Sequence, residues 1–168
     1  MADKKEQQAP VQDLNEMMQV RRDKMQSFAD KGVAPFGHRY VVTHHAQQVF
    51  DHFAELEGED GDKKVRLAGR LMAIRGHGKA SFAVLMDLSG KIQIYFKLDT
   101  LGEEKYSEFK LLDIGDIIGI QGTVFRTHRG EVTVKVEDFD LLSKCLRPLP
   151  EKFHGLKDVE VRYRQRYL

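Results

Sequence analysis

Apolar residues recur along this chain first at helical spacing and then, from Val65, at alternate positions. Leu14, Met17, Met18, Met25 and Phe28 share the helical period, which predicts a helix N-capped by Asp13 and stopped by Gly32, with Pro35 just beyond. Arg21, Arg22, Lys24 and Lys31 are assigned to its opposite side. A second helix is expected from Thr43, with Ala46, Val49, Phe50, Phe53 and Leu56 on its apolar side. The run 57–63 (EGEDGDK) reads as a charged loop.

The two-residue period that follows predicts strands over 65–75, 79–86, 91–97, 117–126 and 131–142. Gly76 and Gly78 separate the first two, Asp87-Leu88-Ser89-Gly90 turns the chain between the next two, and His128-Arg129-Gly130 closes the last hairpin. Residues 101–112 (LGEEKYSEFKLL) look helical, and Asp113-Ile114-Gly115-Asp116 is a turn. The order is three strands, a helix and two strands, with Gly69 and Gly122 where a small closed barrel needs bends. That is the order of the OB-fold, a five-stranded Greek-key barrel with a helix between strands three and four, here preceded by N-terminal helices. In that fold the face of strands two and three and the adjoining loops hold the ligand, although fold alone does not fix function. The chain divides into a disordered tail (1–12), a helical extension (13–60), the barrel (64–145) and an extended segment (146–168) opened by Arg147-Pro148-Leu149-Pro150.

The second hairpin gives an orientation as well as an element. A turn at 87–90 pairs Met86 with Lys91, Leu85 with Ile92, Val84 with Gln93, Ala83 with Ile94 and Phe82 with Tyr95. Paired residues lie on one face. Ile92, Ile94 and Phe96 claim the core, so Phe82, Val84, Lys91, Gln93 and Tyr95 point away from it. An exposed aromatic ring beside amide and cationic groups suits an unpaired base, which stacks on the ring while polar groups read its edge. A one-residue bulge would instead turn Phe82 inward. Arg75, His77 and Lys79 around the two glycines make a cationic loop suited to phosphates, or a solvated hairpin tip. Glu131 opens the last strand beside Arg129.

Composition narrows the chemistry. The net charge of +1 over 168 residues attracts no polyanion by itself, so a nucleic-acid partner must meet a local basic patch. Cys145 is the single cysteine, which excludes an intramolecular disulfide and a cysteine-based metal cluster and fits a reducing compartment. No P-loop, GxGxxG or HExxH is present. His44, His45 and His52 occupy one predicted helix at spacings that share no face, so no metal site is assigned to them. The polar start (MADKKEQQAP) has no apolar core of a leader and no apolar run matches a membrane span, so a soluble cytoplasmic protein is expected.

Three stretches resemble a known family. GKASFAVLMDLSGKIQIYF (78–96) is similar to the strand two–three hairpin of class II lysyl-tRNA synthetases. RPLPEKFHGLKDVEVRYRQRYL (147–168) resembles their linker from anticodon-binding barrel to catalytic domain, and LNEMMQVRRDKMQSFADKGVAPF (14–36) their amino-terminal helix. The resemblance implies that Phe82 stacks on the central uridine of the lysine anticodon, that Gln93 and Arg75 hydrogen-bond that base, and that Glu131 assists. It places Lys79 and His77 near the anticodon loop, and Arg21, Arg22 and Lys24 at tRNA phosphates. The family's remaining catalytic motifs lie beyond Leu168, so no catalytic residue, metal or cofactor is expected in this stretch, which should be inactive alone. The full-length ligase would use ATP and magnesium and form a homodimer, the stretch itself a monomer. Two other functions stay open: a sequence-tolerant single-strand binder, and a protein-interaction module docking a peptide on Phe82 and Tyr95.

Overall fold

The computed structural model describes residues 11–53 and 59–148, together with Tyr163. Residues 1–10 of the expected tail, Leu56, the segment after Pro148 apart from Tyr163, and the side chain of His77 lie outside the described residues, while Val11 and Gln12, expected in the tail, open α1. The elements are α1 (Val11–Asp30), α2 (Ala46–His52), β1 (Glu59–His77), β2 (Ala80–Met86), β3 (Lys91–Lys97), α3 (Leu98–Phe109), β4 (Ile117–Arg126) and β5 (Val132–Ser143).

The five strands close into a barrel in the order β1-β2-β3-β5-β4. The β3–β5 pair is parallel and the other pairs are antiparallel. Closure follows from the alternating pattern: Ile92, Ile94 and Phe96 on β3 and Val132, Val134 and Val136 on β5 turn into one interior with Leu67, Leu85 and Ile120. α3 plugs one end, with Phe109 stacked on Phe96 at a centroid distance of 4.3 Å. Two strand glycines permit the tight curvature. A Cβ on Gly122 would stand 2.0 Å from the Lys135 carbonyl oxygen, at a register shift in the β4–β5 pairing, and one on Gly69 would stand 2.5 Å from that of Met86.

Four expectations need correction. β1 begins at Glu59, inside the run expected as a loop, because β4 extends far enough for Phe125 to pair with it. α2 begins at Ala46 rather than Thr43. Thr43 is instead tied to β1, its amide donating to the Arg66 carbonyl (2.9 Å) and its hydroxyl accepting from the Arg66 amide (2.8 Å). The β2–β3 turn caps α2 from outside: Ala46 N–H donates to Asp87 Oδ2 (2.8 Å) and Gln47 N–H to Ser89 Oγ (3.0 Å). The His44 and His52 rings do meet, edge to face at 5.6 Å, since His44 precedes the helix and is not bound by its period. Finally, α3 begins at Leu98 and is kinked at Gly102, whose φ is 80°.

The largest departure is in α1. Asp13 lies inside its first turn rather than at its cap. Leu14 and Met17 are exposed (44% and 48%), whereas Arg21 is buried (8%) on the same stripe as Met18, Met25 and Phe28. Its guanidinium donates to the carbonyls of Cys145 (2.8 Å) and Ile114 (3.1 Å). Lys24 pairs with Asp113 at 2.6 Å. Beneath them Lys144, fully buried, holds Asp113 at 2.6 Å and Asp116 at 2.7 Å, and Asp116 Oδ1 accepts the Cys145 amide at 2.8 Å. This network fastens α1 to the 113–116 turn and to the end of β5.

Burial alone would raise the Asp113 carboxyl, but hydrogen bonds and charge from Lys144 and Lys24 outweigh it and hold the group below its ordinary value of 3.8. A depressed carboxylate contributes stability above its unfolded pKa, and that contribution is lost as pH falls through the lower folded value. The stability difference between wild type and Asp113→Asn should therefore be constant above about pH 5 and shrink below about pH 4, as read from urea midpoints across pH. A difference that grew with acidity would contradict the assigned direction.

Candidate nucleic-acid interface

The β2–β3 register is the one that alternation and the turn predict, from Met86↔Lys91 to Phe82↔Tyr95. Across the barrel this register generates two outward rows. One runs Arg75–Phe82–Tyr95–Lys135–Thr123 over β1, β2, β3, β5 and β4. The next runs Ala73–Val84–Gln93–Thr133–Phe125. The residues between them on β2, β3, β5 and β4, Ala83, Ile94, Val134 and Val124, are 2% exposed or less, which sets both rows on the outer parity, although Thr133 on the second row is itself covered.

Phe82 is 39% exposed and lies on the outer surface. Its ring meets Tyr95 at 4.7 Å with an interplanar angle of 35°, and Tyr95 meets Phe125 edge-on at 6.1 Å. The three rings form an aromatic strip across the sheet. Gln93 is the diagonal neighbour of Phe82, close enough for a group lying on the ring to reach its amide. Gln93 Nε2 donates to Thr133 Oγ1 at 3.0 Å, and Thr133 Oγ1 donates to the Glu131 carbonyl at 3.2 Å.

Arg75 pairs directly with Phe82 and is exposed. It precedes a turn in which Gly76 has φ 154° and Gly78 φ 73°. A side chain on Gly76 would collide with Ser81, 2.6 Å from its Cα, so only glycine lets the loop close over β2. α3 steadies the loop from below, as the Tyr106 hydroxyl donates to the Gly78 carbonyl at 3.0 Å. Lys79 is exposed beside it. Glu131 is exposed in the β4–β5 turn, where its amide donates to Thr127 Oγ1 and its carbonyl accepts from Thr127 N–H.

The geometry thus brings Phe82, Gln93 and Arg75 onto one face, with Lys79 and Glu131 on the loops bordering it. It does not bring Arg21 and Lys24 there. These two are spent on the 113–116 turn and the end of β5, at the opposite end of the β4–β5 hairpin from Phe125 and Thr133. An arginine donating to two carbonyls from a buried position is not available to phosphate. Arg22 is exposed on the same helix. Phe125 and Tyr95 complete the surface, with Thr133 buried behind Gln93; of these, Phe125 and Thr133 were not singled out from the sequence. The parity of Ile118 and Ile120 on β4 already assigns Phe125 outward.

A curved sheet face with stacked aromatic rings, an amide and a cationic border is the kind of surface on which such barrels bind single-stranded nucleic acid. Residues 65–142, from β1 to β5, match the family model described as the OB-fold nucleic acid binding domain. The chain is also 55% identical over 157 residues to a lysine–tRNA ligase of Pelotomaculum thermopropionicum, covering 94% of this chain and 30% of that relative. Lysine–tRNA ligases of Bacillus subtilis (52% over 160 residues; 94% and 32%) and Carboxydothermus hydrogenoformans (53% over 157 residues; 94% and 31%) match in the same way. The chain thus carries an OB-fold domain, is similar to lysine–tRNA ligases over 94% of its length, and spans about a third of the length of these relatives. No described helix is long and apolar enough to cross a membrane.

Proposed function

We propose that this domain binds the anticodon loop of the lysine tRNA, with the central uridine stacked on Phe82 and its edge read by Gln93 and Arg75. The observation that carries the reading is the exposed Phe82 ring, seated on Tyr95 between Arg75 in its own row and Gln93 on the diagonal. Lys79, His77 and Glu131 border the loop's path, and Arg22 remains a candidate for phosphate contact. Phosphates approaching the rim meet Arg75 and Lys79, which suits a molecule of near-zero net charge whose attraction for RNA must be local.

The ligation of lysine to tRNA with ATP and magnesium belongs, on this reading, to a longer cytoplasmic and homodimeric protein. The segment after the barrel would lead into its catalytic part.

The test compares an RNA stem-loop carrying UUU with one carrying UCU, by fluorescence anisotropy with this chain at one salt concentration. The UUU probe should bind more tightly by about 1–3 kcal/mol, the range for one mismatched contact in a base-reading site. Equal affinity would remove the anticodon reading. Equal binding to an unstructured oligonucleotide would favour a sequence-tolerant single-strand binder, and no RNA binding at all a peptide-docking module.

A further inference from the structure

Gln93 is the only side chain on the second outward row, among its described members, able both to donate and to accept hydrogen bonds with a flat amide. Which end of that amide faces a ligand decides what it reads. A carbonyl oxygen facing the ring position selects a base with a ring N–H there, such as uracil N3–H. An amide N–H selects a base with a ring acceptor there, such as cytosine N3.

The surroundings leave one orientation. Thr133 is fully buried, so no water competes for its hydroxyl. That hydroxyl has one proton, and the Glu131 carbonyl takes it at 3.2 Å. The Glu131 carbonyl is itself held in place by the Thr127 amide at 3.0 Å. Only lone pairs of Thr133 Oγ1 then face Gln93, and they are met by Nε2 at 3.0 Å. A flipped amide would set Oε1 against Oγ1, oxygen against oxygen, and forfeit a hydrogen bond at a hydroxyl closed to water.

We infer that Thr133 is the positioning residue that sets base selectivity: by taking one N–H of Gln93 it locks the amide with its carbonyl oxygen outward, so that the interface accepts a base with a ring N–H at the centre of its pairing edge and rejects one with a ring acceptor there. The inference rests on the anticodon reading above and adds to it a residue that never touches the base. It differs from a structural role for Thr133 because it predicts a change in preference rather than a uniform loss.

The experiment measures binding of the UUU and UCU stem-loops to Thr133→Val, Thr133→Ser and wild type. In Thr133→Val the amide is free to flip. The ratio of UUU to UCU affinity should fall about tenfold, the equivalent of one hydrogen bond, with binding of UCU gained rather than lost. Thr133→Ser keeps the hydroxyl and should restore the wild-type ratio. A Thr133→Val variant with an unchanged ratio, or with both probes weakened alike, would overturn the inference. If that variant does not fold, Thr133→Ala is read in the same way. In the wild type the Gln93 side-chain amide protons, followed by NMR, should exchange slowly, and rapid averaging would also overturn it. The two failures are distinct. A wild type that binds both probes equally removes the anticodon reading itself, whereas a discriminating wild type with an equally discriminating Thr133→Val removes only the role of Thr133.

Discussion

Lys144→Met is expected to destabilise the folded chain by about 3–5 kcal/mol, measured as a shift of the urea midpoint, because it strips the cation from a buried ion pair. The side chains of Lys144 and Asp116 are both 0% exposed, and the ammonium bridges Asp113 and Asp116 at 2.6 Å and 2.7 Å. Methionine fills a similar volume without charge, so the two carboxylates would face each other with no cation between them. Asp113 would keep Lys24, but Asp116 would keep only the backbone amides of Asp113 and Cys145. Against a total stability of about 5–15 kcal/mol, that loss takes the chain close to unfolding. Lys24→Met removes a pair whose partners are 27% and 17% exposed, and should cost about 1 kcal/mol or less. Lys144→Met combined with Asp116→Asn should recover part of the loss, since the uncompensated charge is then gone. A single Lys144→Met variant within about 1 kcal/mol of wild type would mean that the pair is not desolvated as its burial indicates.

The same network shows where a sequence stops being readable. The β2–β3 hairpin was legible to the register because period-two alternation and a short turn are local: Ile92, Ile94 and Phe96 can face only one way, and the turn carries that choice to Phe82. The strand glycines were legible because a closed barrel brings backbones too close for a Cβ. Arg21 was not legible. It stands on the Met18–Met25–Phe28 stripe, and its charge argued for the solvent side, but its partners are carbonyls 93 and 124 residues away in sequence. Thr43 ran against helix expectation for a related reason, since its bonds go to Arg66. Phe125 was legible by parity, whereas the use of Thr133 depends on β3 meeting β5 in parallel, a contact no local pattern announces. The aromatic and polar groups of the interface were thus within reach of the sequence, but the partner that orients Gln93 was not.

Phe82→Ala should weaken binding of the UUU stem-loop by about 1–3 kcal/mol, or about five- to 150-fold, the worth of one base stacked on an aromatic side chain. The ring is 39% exposed and its covered side lies on Tyr95, so truncation removes a platform rather than a core residue. The accompanying loss of fold stability should stay near about 1 kcal/mol, the scale of an aromatic pair at a surface. Stacking is indifferent to the pattern of donors and acceptors on the base edge. The variant should therefore weaken UUU and UCU probes by similar factors, leaving their ratio near the wild-type value, and Phe82→Trp should retain most of the affinity. Its salt dependence should be unchanged, because no phosphate contact is lost, whereas Arg75→Ala should flatten the slope of log affinity against log salt. The two variants thus separate what the interface does by area and π-surface from what it does by charge. A Phe82→Ala chain that binds the UUU probe as wild type does would show that no base rests on that ring, and the aromatic strip would then owe its exposure to something other than RNA.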